Sequence, residues 1–239
     1  MTGYALWVAL GIALAAVALR LQPSRTPLPS DRRVALQTAA LLGAIVGAYG
    51  LQLPADLLGW SAPPPAGIAA DALPLGGRTV LGGLLGGWLA VEIAKRALGV
   101  RQPTGDEFAL PLAVALCFGR IGCLSAGCCA GRECAATWWS CVDAAGVPRW
   151  PVQAVEAGFH GLAALTLPWA ARRDAWPGRR LAIYLTGYAA VRFALEFLRL
   201  NPPVALGLSW HQGLALLLGG LAGGTWWARS PRGHPKSVA

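Results

Sequence analysis

Long apolar stretches constrain the fold of this chain more than any other feature. Seven of them, each bounded by charges, proline or glycine, cover residues 4–21, 34–52, 79–94, 108–124, 152–171, 181–199 and 208–228. A helix of about 20 apolar residues spans a bilayer, and only 13% of the 239 residues are charged. We therefore predict an all-α integral membrane protein: one polytopic domain over residues 1–239 with seven transmembrane helices and a small extracytoplasmic loop region.

The distribution of basic residues predicts the orientation. The chain carries 20 Lys and Arg against 11 acidic residues, and fourteen of the 20 fall after the first, third, fifth and seventh stretches. The positive-inside rule then places the N-terminus outside and the C-terminus in the cytoplasm. No basic stripe interleaved with aromatic residues occurs, so we expect no nucleic-acid partner.

Charged residues inside the apolar stretches are the strongest pointers to function, because burying them in a membrane is costly. In the sixth stretch Tyr188, Arg192, Glu196 and Arg199 follow at i, i+4, i+8 and i+11, which places them on one helix face. Two interpretations remain open here. The Arg192–Glu196 pair either belongs to a binding site or joins two helices as a salt bridge.

The fourth stretch supplies a second intramembrane arginine. Arg120 lies near its outer end, as Arg192 does in the sixth, and glycines at 119, 122 and 131 surround it in sequence. Guanidinium groups match phosphate oxygens bidentately. Two arginines at the same depth therefore predict a site for an anionic lipid headgroup, which the glycines would let approach the backbone.

Further polar residues are expected on the same side of the membrane. Glu156 and His160 stand at i and i+4 in the fifth stretch, and His211 and Gln212 open the seventh. A lone histidine such as His160 is more typical of a packing residue. Small residues at 82, 83, 86 and 87 in the third stretch indicate close helix packing.

Five cysteines crowd into 19 residues on the predicted outer side: Cys123, Cys128, Cys129, Cys134 and Cys141. Structural disulfides, for instance with Cys134 and Cys141, are the leading interpretation in an oxidising compartment. A reactive thiol at Cys123 or Cys128 and a metal site are the alternatives. The sequence contains no usual Cys-x2-Cys pair, so we assign no metal ligands and no cofactor.

Taken in order, these motifs resemble the bacterial prolipoprotein diacylglyceryl transferases. A Gly-Arg-x-Gly-Asn signature that ends in Tyr-Gly-Arg looks like residues 119–123 and 131–132. A Tyr-x3-Arg-Phe-x2-Glu-Phe-x-Arg helix looks like residues 188–199. Three shorter elements are similar to Gly82–Gly86, to Pro151, Gln153 and Glu156, and to Ser209 and Gln212.

Several positions depart from that pattern. Leu81 stands where the family has a histidine, Cys123 replaces the signature asparagine, and Cys128 replaces an acidic residue. Tyr49 occupies the place of an arginine in the second helix. The arginines of the family pattern are retained, whereas the polar residues that the family has around the acceptor of the transferred group are replaced.

The resemblance implies a multi-pass enzyme of the bacterial inner (plasma) membrane that moves the diacylglyceryl group of phosphatidylglycerol, or another anionic phospholipid, to a lipobox cysteine. Its partners would be secreted lipoprotein precursors. Arg120, Arg192 and Glu196 would be catalytic, with Glu196 holding Arg192. With Leu81 in place of the histidine, His211 or Glu156 are possible bases. The residues expected to bind substrate or lipid are Gly119, Gly122, Gly131, Gln153, Glu156, Tyr188, Arg199, His211 and Gln212.

Two alternatives stay open. A divergent member of the family would use the same lipid site with a different acceptor. A non-catalytic membrane protein that handles thiols or metals would use only the scaffold, and the cysteine cluster favours it.

Overall fold

The computed structural model describes residues 2–21, 28–62, 78–129, 131–143 and 145–229. Arg25, Arg232 and Lys236, which contribute to the predicted orientation, lie outside these ranges. The described chain is mostly helical. Its helices are α1 (Thr2–Leu21), α2 (Ser30–Gly50), α3 (Leu53–Leu57), α4 (Val80–Ala97), α5 (Asp106–Ser125), α6 (Val152–Arg172), α7 (Arg180–Glu196) and α8 (Trp210–Ala228).

Seven of these helices coincide with the seven apolar stretches to within a few residues, and α3 is a single short turn. Within the described ranges, three helical segments are long and apolar enough to cross a membrane by length and composition: Gly3–Leu21, Ser30–Leu57 and Asp106–Ser125. Large apolar side chains point outward from several helices, with Leu6 70% exposed and Leu165 76% exposed. Such a surface is unfavourable in water and suits lipid, so the chain is a helical membrane protein.

Two short hairpins connect the helices at one end of the bundle. Between α5 and α6, β1 (Cys141–Val142) pairs antiparallel with β2 (Pro148–Arg149). Between α7 and α8, β3 (Pro203–Ala205) pairs antiparallel with β4 (Leu208–Ser209). Both hairpins therefore cover the same ends of α5 to α8.

Glycines bring α2 and α4 into backbone contact, as the small residues of the third stretch predicted. A Cβ added at Gly47 would lie 2.3 Å from the carbonyl oxygen of Gly82, and one at Gly86 would lie 2.3 Å from that of Gly43. Any larger residue at these positions would push the two helices apart.

The apolar core lies between α4, α5, α7 and α8. Leu81, Leu185, Tyr188 and Leu218 are its largest enclosed side chains, each at most 2% exposed. Leu81 thus fills an apolar position beside Tyr188 in the same cluster. This core holds the polar end of α7 at a fixed depth against α5 and α6.

Candidate functional site

A fully buried carboxylate, that of Glu156 in α6, gathers three arginines from two other helices and the segment after α7. Its Oε2 lies 2.7 Å from Arg120 Nε and 3.4 Å from Arg199 Nη2, and its Oε1 lies 3.5 Å from Arg192 Nε. The hydroxyl of Tyr188 donates to Oε1 at 3.5 Å. The structure therefore brings together Arg120 and Arg192, which the sequence placed only at similar depths.

A second acid, Glu196, continues the network at the end of α7. It forms a close ion pair with Arg192 one turn earlier and accepts hydrogen bonds from the amide of Asn201 and from Ser209 Oγ, the latter at 3.1 Å. His211 Nδ1 lies 3.7 Å from Glu196 Oε1. Glu196 thus fixes Arg192 and ties α7 to the start of α8.

The network reaches the α2–α3 corner through His211. Its Nε2 lies 3.2 Å from Gln52 Oε1, and Gln52 Nε2 donates to Asp56 Oδ1 at 2.8 Å. The backbone N–H of Ala62 donates to Asn201 Oδ1 at 2.9 Å. The sequence did not identify Gln52 and Asn201 as site residues. The only feature that distinguishes them there is that each is a polar amide at the end of an apolar stretch.

Among the three arginines and the carboxylates that they contact, the balance of charge is positive. Arg120, Arg192 and Arg199 contact the two buried carboxylates of Glu156 and Glu196, which leaves one cation in excess. Within the described part of the chain, Arg199 Nε is buried and has no hydrogen-bond partner. Buried charge is favourable only when it is paired, so the arrangement attracts an anion with several acceptor oxygens.

The three predicted glycines differ in their surroundings. A Cβ at Gly119 would meet no atom within 4 Å, whereas one at Gly122 would lie 3.2 Å from the Tyr4 ring. At Gly131 it would lie 2.7 Å from Trp150 Cβ. Of the three, Gly119 alone has open space around it. Gly122 and Gly131 permit close packing, which differs from the expectation for them.

Two predicted glutamine ligands make structural contacts. Gln212 forms a capping box with Ser209, since its backbone N–H donates to Ser209 Oγ and Ser209 N–H donates to Gln212 Oε1. Gln153 Nε2 donates to the carbonyl of Cys128 at 3.0 Å. Each therefore positions a backbone segment that borders the arginines.

His160 is fully buried one turn beyond Glu156 on α6. Its Nδ1 lies 2.8 Å from the Tyr184 hydroxyl, and its ring lies 4.7 Å from that of Tyr188. These contacts agree with the interpretation of His160 as a packing residue.

A largely apolar cavity of about 1140 Å³ lies between α1, α5, α6 and the start of α7. It extends from Asp106, at the start of α5, to Phe118, two residues before Arg120. The apolar lining includes Leu14, Val17, Leu110, Val114, Phe118 and Leu167. One end of the cavity is therefore close to Arg120 in depth, although Phe118 and Arg120 lie on different sides of α5.

The cysteines differ from the expected disulfides. All six are free thiols, and the Sγ atoms of Cys123, Cys128 and Cys129 lie within 4.8 Å of one another. Cys141 Sγ instead donates to the carbonyl of Arg149 at 3.5 Å. Crowding in the sequence therefore reflects one group of three thiols, with Cys134 and Cys141 outside it.

Comparison with known proteins gives a consistent result. A family model described as prolipoprotein diacylglyceryl transferase matches residues 1–228. A phosphatidylglycerol–prolipoprotein diacylglyceryl transferase 2 of Clostridium perfringens is 33% identical over 155 residues, which are 61% of this chain and 60% of that protein. A phosphatidylglycerol–prolipoprotein diacylglyceryl transferase of Methylococcus capsulatus is 37% identical over 135 residues, or 55% of this chain and 51% of the relative.

A third relative of the same name, from Clostridium tetani, is 28% identical over 207 residues. That match covers 84% of this chain and 81% of the relative. The chain spans between half and three fifths of the length of the Clostridium perfringens and Methylococcus capsulatus proteins.

Proposed function

The chain belongs to the prolipoprotein diacylglyceryl transferase family, and from this premise we propose that it transfers the diacylglyceryl group of phosphatidylglycerol to a cysteine thiol of a prolipoprotein. One observation carries the proposal. Arg120 and Arg192, on different helices, converge on the buried Glu156 in a network with one positive charge in excess. That network would hold the lipid phosphate.

The chemistry follows from where charge develops. The acceptor sulfur forms a bond to the diacylglyceryl carbon while the bond from that carbon to a phosphate oxygen breaks. The thiol proton leaves to a base, and glycerol-1-phosphate departs with one more negative charge on its phosphate than the lipid had. Guanidinium groups against that phosphate stabilise the transition state more than the ground state.

The carboxylates would position the arginines. Glu156 is enclosed by Arg120, Arg192 and Arg199, so it acts as their common anchor and is a poor proton acceptor. Glu196 would hold the guanidinium group of Arg192 in the orientation in which its remaining N–H groups face the lipid phosphate. Tyr188 would direct its hydroxyl at the same group of charges.

His211 is our candidate for the proton acceptor. Leu81, at the place of the family histidine, is enclosed in the apolar core and carries no basic atom. His160 is fully enclosed and engaged with Tyr184. His211 retains 7% exposure at the edge of the arginine network, so an incoming thiol would reach it more easily.

The acyl chains would lie in the apolar cavity between α1, α5 and α6. The cavity reaches Phe118, which is close to Arg120 in depth but lies on another side of α5, so a lipid with its phosphate at the arginines would pass its chains around α5 to enter it. We also propose that the protein lies in the bacterial inner (plasma) membrane, as its family membership implies.

We further propose seven spans with an outer N-terminus. This orientation puts the arginine network and both hairpins on the extracytoplasmic side, where a secreted precursor would arrive. Reporter fusions after Arg33, Arg101 and Arg180 should then all behave as cytoplasmic. An outside signal at two of these positions would reject the orientation.

The activity is tested with the purified chain, a lipobox peptide and phosphatidylglycerol vesicles. Mass spectrometry should detect the peptide thioether with wild-type protein, much less with Arg192→Ala, and wild-type amounts per folded chain with Arg180→Ala as a buried-arginine control. Vesicles of phosphatidylcholine alone should give none. A thioether yield that is equal in Arg192→Ala and Arg180→Ala would contradict the assigned site.

The same assay distinguishes transfer to a lipobox cysteine from transfer to a different acceptor. Release of glycerol-1-phosphate from phosphatidylglycerol without any peptide thioether would identify a family member that uses this lipid site with another acceptor. The substitutions at Leu81, Cys123 and Cys128 favour that second candidate.

A further inference from the structure

The end of α5 brings two cysteines together through a defined helix terminus. Gly127 has φ +63° and its N–H donates to the carbonyl of Leu124 at 3.2 Å, while the N–H of Cys128 donates to the carbonyl of Cys123 at 3.1 Å. This pair of bonds is a Schellman motif, in which the residues at the two ends of the longer bond place their side chains in contact. Cys123 and Cys128 occupy those two places.

Cys129 completes a group of three. It follows directly with φ +61°, a backbone conformation unusual for a residue with a side chain. The three Sγ atoms all lie within 4.8 Å of one another. Cys123 is buried, Cys128 is half-buried and Cys129 is exposed, so the group opens to the surface through Cys129.

The spacing suits a metal ion bound by sulfur. A zinc–sulfur bond of about 2.3 Å places two thiolates about 3.8 Å apart in a tetrahedral site and about 4.0 Å apart in a trigonal one. The three thiols need to approach by no more than about 1 Å, which rotation about their side-chain bonds can supply. Three protein ligands leave one position of a four-coordinate ion for water.

Thiolates are the form of cysteine that binds metals, and two guanidinium groups lie near the three thiols. Arg120 and Arg199 are both close enough to Cys129 to interact with it electrostatically. Arg120 stands one helical turn before Cys123.

We propose that Cys123, Cys128 and Cys129 form a binding site for one soft, thiophilic metal ion of the Zn²⁺ type. Binding exchanges the thiol protons for the ion, so up to three protons leave as three sulfur–metal bonds form. The bound ion would join the segment after α5 to the helix itself, beside the arginine network. The inference is independent of the transfer activity.

The test uses the full chain in detergent, reduced and freed of metal. Titration with Cd²⁺ should produce a thiolate-to-metal charge-transfer band that saturates at one ion per chain, and Zn²⁺ should displace it. Cys129→Ser removes an exposed ligand and should weaken Zn²⁺ binding by more than about 100-fold, beyond the usual effect of losing an outer hydrogen-bond partner. Cys128→Ser should behave alike.

Cys134→Ser and Cys141→Ser are matched controls, since both cysteines lie in the same loop region outside the group of three. They should bind Zn²⁺ as the wild type does. The proposal is overturned if Cys129→Ser and Cys128→Ser bind as tightly as the controls, or if the reduced wild-type chain shows no charge-transfer band. A disulfide between two of the three thiols in protein isolated without oxygen would overturn it as well.

Discussion

Buried arginine ion pairs occur at both ends of α7, and the two ends differ in charge. At the first end, Arg180 Nη1 lies 3.4 Å from Asp106 Oδ2, Nη2 lies 3.7 Å from Asp174 Oδ1, and Nε donates to the carbonyl of Ala175. Arg192, about 18 Å further along the helix axis, shares Glu156 with Arg120 and Arg199 and also pairs with Glu196.

The difference indicates what separates an anchor from a binding site. One arginine meets two aspartates at the first end, and Asp106 also accepts backbone N–H groups from Gly178 and Arg180. At that end the carboxylates of the chain outnumber the guanidinium group, so no further anion is needed. At the other end three arginines meet two glutamates, and in the proposed function the lipid phosphate would balance the charge.

Removing an arginine from the positive end should have the largest effect. We expect Arg120→Ala and Arg192→Ala to reduce the thioether-forming rate by about 30- to 1000-fold, or about 2–4 kcal/mol, because each removes a charge-assisted contact to the departing phosphate. Turnover per folded chain, measured in phosphatidylglycerol vesicles, checks this. A loss below threefold in both variants would remove the distinction between the two ends.

Changing the first end, around Arg180, should affect stability instead. Asp106→Asn leaves Arg180 with one carboxylate fewer and should lower the free energy of unfolding by about 1–3 kcal/mol. Thermal unfolding in detergent measures the loss, and the rate per folded chain should stay at the wild-type value. A rate that falls as far as that of Arg192→Ala would show that both ends serve the reaction.

Lysine at position 120 or 192 tests whether the shape of the guanidinium matters. A compact ammonium keeps the charge and loses bidentate contact, so Arg192→Lys should remain at least about tenfold slower than the wild type, which corresponds to about 1.4 kcal/mol. A wild-type rate in Arg192→Lys would show that positive charge alone is sufficient and that bidentate contact is not needed.

An ion pair in the β1–β2 hairpin provides the smallest expected effect. Arg149 lowers the pKa of Asp143 through a side-chain hydrogen bond, and the backbone N–H of Val147 lowers it further. The stabilisation is therefore present above the unfolded aspartate pKa of about 3.9 and is lost as the pH falls through the lowered value. Asp143→Asn should remove this pH dependence from thermal unfolding; an unchanged profile would rule out the pair as its source.

The sequence predicted the helices well because burial in lipid needs continuous apolar stretches, which are local. It also placed Arg192 and Glu196 on one face, since both lie on one helix. The contact of Arg120 with Glu156 joins α5 to α6, and no local spacing records it. Gln52 enters the same network from the α2–α3 corner, which depends on how that corner packs against α8.

The cysteines show the same limit at shorter range. Their crowding favoured disulfides, whereas Gly127 ends α5 so that Cys123 and Cys128 meet across a single turn. Gly127 stands directly before Cys128 and four residues after Cys123. Its position could have predicted this helix terminus from the sequence. The third thiol, Cys129, depends on a left-handed backbone conformation that its own residue type does not favour.

The most direct test of the central claim is the thioether-forming rate of a double variant, Arg192→Met with Glu196→Leu, compared with Arg192→Ala alone. The double change removes a buried pair together, so thermal stability should recover relative to the single variant. Our account predicts that the rate stays as low as that of Arg192→Ala, because the phosphate has lost its arginine. Recovery of both stability and rate would show that Arg192 is only an anchor, as Arg180 is.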